Sequence, residues 1–416
     1  MSKKFTTQIL HSDRSENIEH FAIHKPTHTS SAYGYPNVEH LSRVFQGVEG
    51  GFVYSRQSNP TTAALETKIT NMEQGFATVC FSTGMAAIGA TLISLLKKGD
   101  HVVSSSFLFG NTNSVMGTMD TLGCSVSLID ATDVKLIEAA LTEKTRIVFV
   151  ETIANPRTQI SDLVKIGELC KNHGLLYIVD NTLTSPYLFQ PKNVGASLSI
   201  NSLTKSISGH GNALGGSVTD TGLYDWTQFP NIYDAYKGDD SRLWGITQIR
   251  KKGLRDFGSS LTSESAHKIA IGSETLELRM ERACDNAMAL ADFFNSHSAI
   301  SKVYYPGLKD HPQHSISTEL FKRHGAILSI ELKKDYDSFK FLNQLKLVIL
   351  STHLGDNRTL AIPVAHTIYW EMGAERRAEM GIDDSLIRLS VGIEDRHDLI
   401  DDFKQALNSL VNAKDN

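Results

Sequence analysis

The 416 residues predict an α/β protein with a mostly parallel sheet in a large domain and a smaller C-terminal α+β domain. Three observations carry this. Between about residue 75 and residue 220, short β-rich apolar runs alternate with helical patterns, the texture of parallel strands buried on both faces. After about residue 260 the texture changes to long helical patterns with a strand-like segment among them. The chain is also longer than the size at which one core usually keeps growing, so two domains are expected.

In chain order, residues 1–60 carry little periodicity and many polar groups, and are expected to form an arm that packs on another surface, such as a neighbouring subunit. The large domain is expected over 61–258. Its first strand is "TVCFS" (78–82), followed by "MAAIGATLISLL" from Met85, which is apolar all round, too short to span a bilayer and best read as a buried helix. "HVVSSS" follows at 101, and "SVSLID" from Ser125 leads into the helical "DVKLIEAAL". "RIVFVE" (146–151) precedes a loop and the helical "SDLVKIGELCKNHG". "LLYIVD" (175–180) and "SLSINS" (197–202) complete the series. Over 259–416, "SETLELRMERACDNAMALADFFNSH" reads as a long helix, "GAILSIEL" as a strand and "DDFKQALNSL" as a closing helix.

Composition narrows the partners. Charged residues make up 21% and the net charge is −5, which gives no broad basic surface for nucleic acid and no strong acidic tail. A small molecule is the expected partner. The four cysteines, Cys80, Cys124, Cys170 and Cys284, lie far apart without a C-x-x-C pair, so neither a zinc site nor a disulfide framework is expected, and a cytoplasmic setting is. "MSKKFTTQILHSD" lacks the apolar segment of a secretory signal, and no membrane association is expected. The sixteen histidines include no H-E-x-x-H and show no ligand spacing, so no metal is expected.

In parallel sheets ligands bind beyond the carboxyl ends of the strands, which here carry Ser82, Glu151, Asp180 and Ser202, with Lys205 three residues further on. Lys205, in "NSLTKSISGHG", admits three readings. It is a solvated surface charge; or Ser202 and Lys205 form an S-x-x-K motif, whose S-D-N and K-T-G partners do not occur; or its amine holds an aldehyde cofactor as a Schiff base. The last requires an acid for a pyridinium nitrogen and a cradle for phosphate. Asp180, ending an apolar run, is either a turn carboxylate or that acid. Gly84 and Met85 lie where a strand turns into a helix, so their N–H groups form either an ordinary N-cap or an anion site, to which Ser202 and Thr204 could add hydroxyls. The glycines of "GHGNALGG" miss G-x-G-x-x-G by one residue, which disfavours a dinucleotide site. In "YSRQSNPT", Arg56 beside Tyr54 is a surface residue or a phosphate fork. Arg388 stands inside an apolar strand, where it is either half of a buried ion pair or a clamp for a substrate carboxylate.

Together "YSRQSNPT", "STGMAA", "ETIANPRTQISD", "VDNTLTSPYLFQP", "SLTKSISGHGNALGG", "YYPGL", "HPQH" and "IRLSVGIED" resemble, over nearly the whole length, the cystathionine-type family of fold type I pyridoxal-phosphate enzymes that handle sulfur amino acids. The resemblance implies pyridoxal 5′-phosphate on Lys205, Asp180 at the pyridinium nitrogen, and Gly84, Met85, Ser202 and Thr204 at the phosphate. It implies Asn155 near the cofactor's 3′-oxygen and Arg388 on the substrate α-carboxylate. Tyr54 and Arg56 would reach the phosphate of a neighbouring subunit, making a homodimer or homotetramer with shared sites. Two departures stand out. Phe109, in "LFGNT", replaces the tyrosine that many members stack on the ring, and Asn111 stands where methionine γ-lyases carry cysteine. "AIPVAHTIYW" replaces the usual H-P-A-S-x-T-H pattern, so the substrate pocket is expected to differ near His366 and Tyr369. The implied activity is γ-replacement or γ-elimination on O-acylhomoserine or cystathionine-type amino acids. The alternatives are a cystathionine β-lyase, a methionine γ-lyase, or a cofactor-binding regulatory protein without turnover.

Overall fold

Apolar, β-branched runs form the large sheet. Its strands are β1 (Ala77–Phe81), β2 (His101–Ser105), β3 (Ser125–Ile129), β4 (Thr145–Glu151), β5 (Leu176–Asp180), β6 (Leu198–Asn201) and β7 (Gly216–Asp220). The first six lie on the anticipated runs; β7 was not anticipated. The computed structural model describes residues 3–14 and 18–414 and places the strands in the order β1-β7-β6-β5-β4-β2-β3. β2 to β6 pair in parallel, whereas β7 runs antiparallel to both β1 and β6. Ile147, Val148, Phe149 and Val150 are all 0% exposed, as expected of a strand covered on both faces.

The segment expected as an arm holds two helices, α1 (Phe5–His11) and α2 (Val38–Phe45). Ile9 of α1 is buried against Leu65, Ile69 and Met72 of α3 (Pro60–Met72), so this part of the segment lies on its own chain. On α2, Val38 and Phe45 face solvent. α3 starts at "SNPT" because the Asn59 side chain accepts from the N–H groups of Thr61 and Thr62 while Pro60 takes the first helical position. α4 (Gly84–Leu95) is the anticipated apolar helix, packed with Phe81, Ile178 and Ile200 against the sheet.

The second sheet consists of β8 (Ile300–Tyr304), β9 (Ile327–Leu332), β10 (Ile349–Leu350), β11 (Leu360–Pro363) and β12 (Leu386–Ser390), ordered β10-β11-β12-β9-β8. Helices Leu276–Asn295 and Arg396–Lys414 bury one face of it, with the rings of Phe294 and Phe403 5.0 Å apart. Among the described residues no helix is long and apolar enough to cross a membrane, and no cluster of His, Cys, Asp or Glu could hold a metal ion. All four cysteines are buried and unbonded to one another.

Candidate active site

The carboxyl ends of β4, β5 and β6, the start of α4 and the middle of β12 enclose a cavity of about 490 Å³. Gly84, Met85, Phe109, Asn155, Asp180, Ser202, Thr204, Lys205 and Arg388 line it.

One end of the cavity presents the first N–H groups of α4. Thr83, rather than the neighbouring Ser82, caps α4 by accepting from the N–H of Ala86 at 3.0 Å. The N–H groups of Gly84 and Met85 are therefore left without helical acceptors, at the positive end of the helix dipole. Gly84 is required by close approach: a Cβ there would lie 2.8 Å from the Cβ of Ser202. Ser202 is itself held by its own N–H, which donates to the Thr182 hydroxyl at 2.9 Å. Thr204 lines the same end of the cavity. Its hydroxyl accepts from the Gly215 N–H at 3.0 Å and lies 3.2 Å from the Gly215 carbonyl, to which it donates, so it pins the lysine loop to the strand β7 side.

Two carboxyls lie side by side on the cavity floor, since Glu151 and Asp180 are register neighbours across β4 and β5. Burial raises both, and the charge of Asp180 raises Glu151 further. Burial favours a single charge on the pair, and Asp180 is the better placed to carry it, because Thr182 hydrogen-bonds its carboxylate, its N–H donating at 2.9 Å, whereas the charge of Asp180 raises Glu151. Glu151 accepts from the Phe109 N–H at 2.8 Å, which fixes that residue at the entrance of α5 (Gly110–Thr121).

Lys205 Nζ is 3.4 Å from Nδ1 of His353. Burial, followed by the nearby charge of Arg388, brings its amine down to about 8. Arg388 is 1% exposed and sits between Ile362 and Ser329 in the sheet register. One guanidinium nitrogen donates to the carbonyls of Thr352 and His353 at 3.1 and 2.8 Å, and Nε has no partner. It pairs with no carboxylate among the described residues, so the structural ion pair is corrected: burial without a counter-charge lowers its pKa to about 10.

Asn155 is buried with its side-chain Oδ1 unpartnered, and its carbonyl accepts from the Tyr369 hydroxyl at 2.5 Å. The divergent segment reaches the cavity through Ile368; Tyr369 lies behind it, and His366 faces Asp384 at 3.8 Å. Tyr54 and Arg56 do not line the cavity of their own chain: Arg56 donates to the Arg255 carbonyl at 2.6 Å and lies over the exposed Tyr54 ring. Thr182, Thr352 and His353 are among the lining residues not anticipated as site residues. For Thr182 a signal existed in its adjacency to Asp180. His353 is one histidine in a polar stretch, and nothing local sets it apart.

The arrangement offers a nucleophilic amine, an ionised acid, an anion cradle and an unsatisfied guanidinium around one buried space, which suits a phosphorylated aldehyde and a carboxylate-bearing amine. A family profile described as Cys/Met metabolism PLP-dependent enzyme matches residues 6–408. An L-methionine gamma-lyase of Fusobacterium nucleatum subsp. polymorphum is 37% identical over 97% of this chain and 98% of its own. An O-acetyl-L-homoserine sulfhydrylase of Corynebacterium glutamicum is 33% identical over 96% of each. Among solved structures, a Campylobacter jejuni protein assigned as an O-acetylhomoserine (thiol)-lyase superposes with a TM-score of 0.92 at 31% identity, covering 98% of this chain and 100% of that one. It carries N′-pyridoxyl-lysine-5′-monophosphate at its position 205.

Proposed function

This chain belongs to the Cys/Met metabolism family of PLP-dependent enzymes, and from that premise we propose that it catalyses γ-replacement or γ-elimination on O-acylhomoserine or thioether amino acids. The α/β architecture is that of a fold type I enzyme, and pyridoxal 5′-phosphate is its cofactor. When bound, the cofactor supplies an aldehyde carbon that reacts with amines and a ring that takes up the charge left on a substrate carbon.

The residues present fit that group. Lys205 would hold it covalently, and Gly84, Met85 and Ser202 would take its phosphate, with Thr204 fixing the loop they share. Tyr54 and Arg56 of the partner subunit would complete the phosphate site, which accounts for their lying outside their own cavity. Ionised Asp180 would keep the ring nitrogen protonated. Phe109 would cover the ring, and the orphaned Oδ1 of Asn155 is a polar atom waiting for a partner. Arg388 would take the substrate carboxylate, supplying the counter-charge its own strand lacks. With the substrate so placed, the Lys205 amine, released and lowered to about 8, is poised to accept a proton from the substrate carbon near neutral pH.

The observation that carries this reading is the meeting of Lys205, Asp180, the α4 cradle and an unpaired Arg388 around one cavity. The loaded enzyme should be incubated with O-acetylhomoserine, O-succinylhomoserine, cystathionine and methionine separately, with and without sulfide. Turnover with cleavage at Cγ is expected. Pyruvate from cystathionine would mark β-cleavage instead, and silence with all four would reject the substrate class.

A further inference from the structure

The γ-chemistry proposed above leaves one proton unassigned. A thiolate is a poor leaving group beside a carboxylate, because thiols hold their proton to about pH 8.5 and carboxylic acids only to about 4. The natural candidate above the cofactor ring would be a hydroxyl, but Phe109 has none. Asp180 and Glu151 lie on the cavity floor, where they accept from the Thr182 and Phe109 N–H groups, and the described hydrogen bonds link neither of them to the Lys205 amine. Arg388 keeps its proton well above neutral pH. Among the described residues, the imidazole of His353 is the side chain within hydrogen-bond reach of Lys205 Nζ.

We propose that His353 is a catalytic residue of the γ-reaction, relaying a proton from the Lys205 amine to the departing γ-substituent. The geometry assigns each nitrogen a task. Nδ1 lies 3.4 Å from Lys205 Nζ and accepts its proton. Nε2 is buried with no protein partner, a costly state for a ring N–H that a bound leaving atom would relieve. The backbone of the loop is tied to β12, since the His353 carbonyl accepts from Arg388 at 2.8 Å. His353 also lines a second cavity of about 570 Å³, shared with Thr204 and Leu214, which gives the ring a side away from the catalytic cavity.

The step balances. A proton passes from the Lys205 ammonium to Nδ1, leaving a neutral amine and an imidazolium. The bond between Cγ and the leaving atom breaks, its electron pair stays on that atom, and the Nε2 proton joins it. The imidazole is neutral again as its Nδ1–H tautomer, and exchange of ring protons with solvent restores the Nε2–H form for the next turnover. The groups facing it favour this cycle: burial, Lys205, Arg388 and Arg358 hold the ring neutral at rest against the opposing pull of Asp356, so a proton taken up is readily given away.

The role rests on the γ-chemistry reading, and two experiments separate them. In the loaded enzyme, His353→Gln retains bulk and an amide donor but has no proton to release. Its kcat should fall about 10²-fold or more for a thioether substrate and stay within a few-fold for O-acetylhomoserine, whose acetate departs without help. Equal losses on both, or none, would overturn the role. Independently of turnover, His353→Leu should shift the pH midpoint of the cofactor's visible absorbance downward by roughly 0.5 to 1 because the acceptor for the Lys205 proton is gone. An unmoved midpoint would overturn the contact. Wild-type silence toward both substrates together with a shifted midpoint would overturn the γ-chemistry, and the proposed role with it, while leaving the His353–Lys205 contact standing.

Discussion

Replacing Arg388 by Met should cost the enzyme little stability and make it markedly worse at holding its substrate. The guanidinium is 1% exposed with no carboxylate beside it among the described residues, and burial lowers its pKa from 12.5 to about 10. That fall corresponds to about 3 kcal/mol of desolvation that nothing in the strand offsets. The side chain still holds its proton at neutral pH, so the cost is present there and is relieved only as pH rises through about 10. Met keeps the length and removes the charge, at the loss of the hydrogen bonds to the Thr352 and His353 carbonyls, each charge-assisted and worth about 1.5 to 3 kcal/mol. The gain and the losses offset at the low end of that range, so the urea midpoint of the loaded enzyme at fixed protein concentration is expected to fall little. The carboxylate contact, a charge-assisted fork, is worth about 1.5 to 3 kcal/mol, so KM should rise roughly 10- to 150-fold. A variant destabilised by several kcal/mol with KM unchanged would show that Arg388 serves the fold alone.

Asp180→Asn replaces the carboxyl but leaves Gly84, Met85 and Ser202, the proposed phosphate site, untouched. Cofactor content should be retained while kcat falls about 10²-fold or more, measured by absorbance and initial rates on one sample. Tyr369→Phe leaves the buried Asn155 carbonyl without its donor and should cost about 1 to 3 kcal/mol in urea unfolding. In the cofactor-free chain the Lys205 amine should be modified by an amine-directed reagent with a midpoint near pH 8 rather than 10.5. Between those two values the unfolded chain binds a proton that the folded chain does not, so this group makes stability rise with pH across that window.

Much of the fold was legible because parallel strands buried on both faces must be continuously apolar, and "RIVFVE" and "LLYIVD" have no other comfortable state. β7 escaped because "GSVTD" holds only one large apolar residue and begins in a glycine run. Gly216 is there for packing, since a Cβ would lie 2.2 Å from the Thr83 carbonyl oxygen. β8 was hidden by Lys302 and Ser301 in its middle, and β10 is two residues long. At the site, Asp180 and Lys205 could be found because strand ends point at ligands. Arg388 could be found because a charge in an apolar strand demands a reason. The bonds of the Thr204 hydroxyl to both backbone groups of Gly215 were not legible, because they join residues of separate segments. His353 was invisible because its meaning comes from a contact across 148 positions with Lys205, which no local pattern encodes.

The covalent attachment at Lys205 can be read directly. Borohydride reduction of the purified, loaded protein followed by peptide mapping should add one pyridoxyl phosphate group to the peptide bearing Lys205, and to no other. Reduction that leaves this peptide unlabelled, or labels a different lysine, would contradict the account.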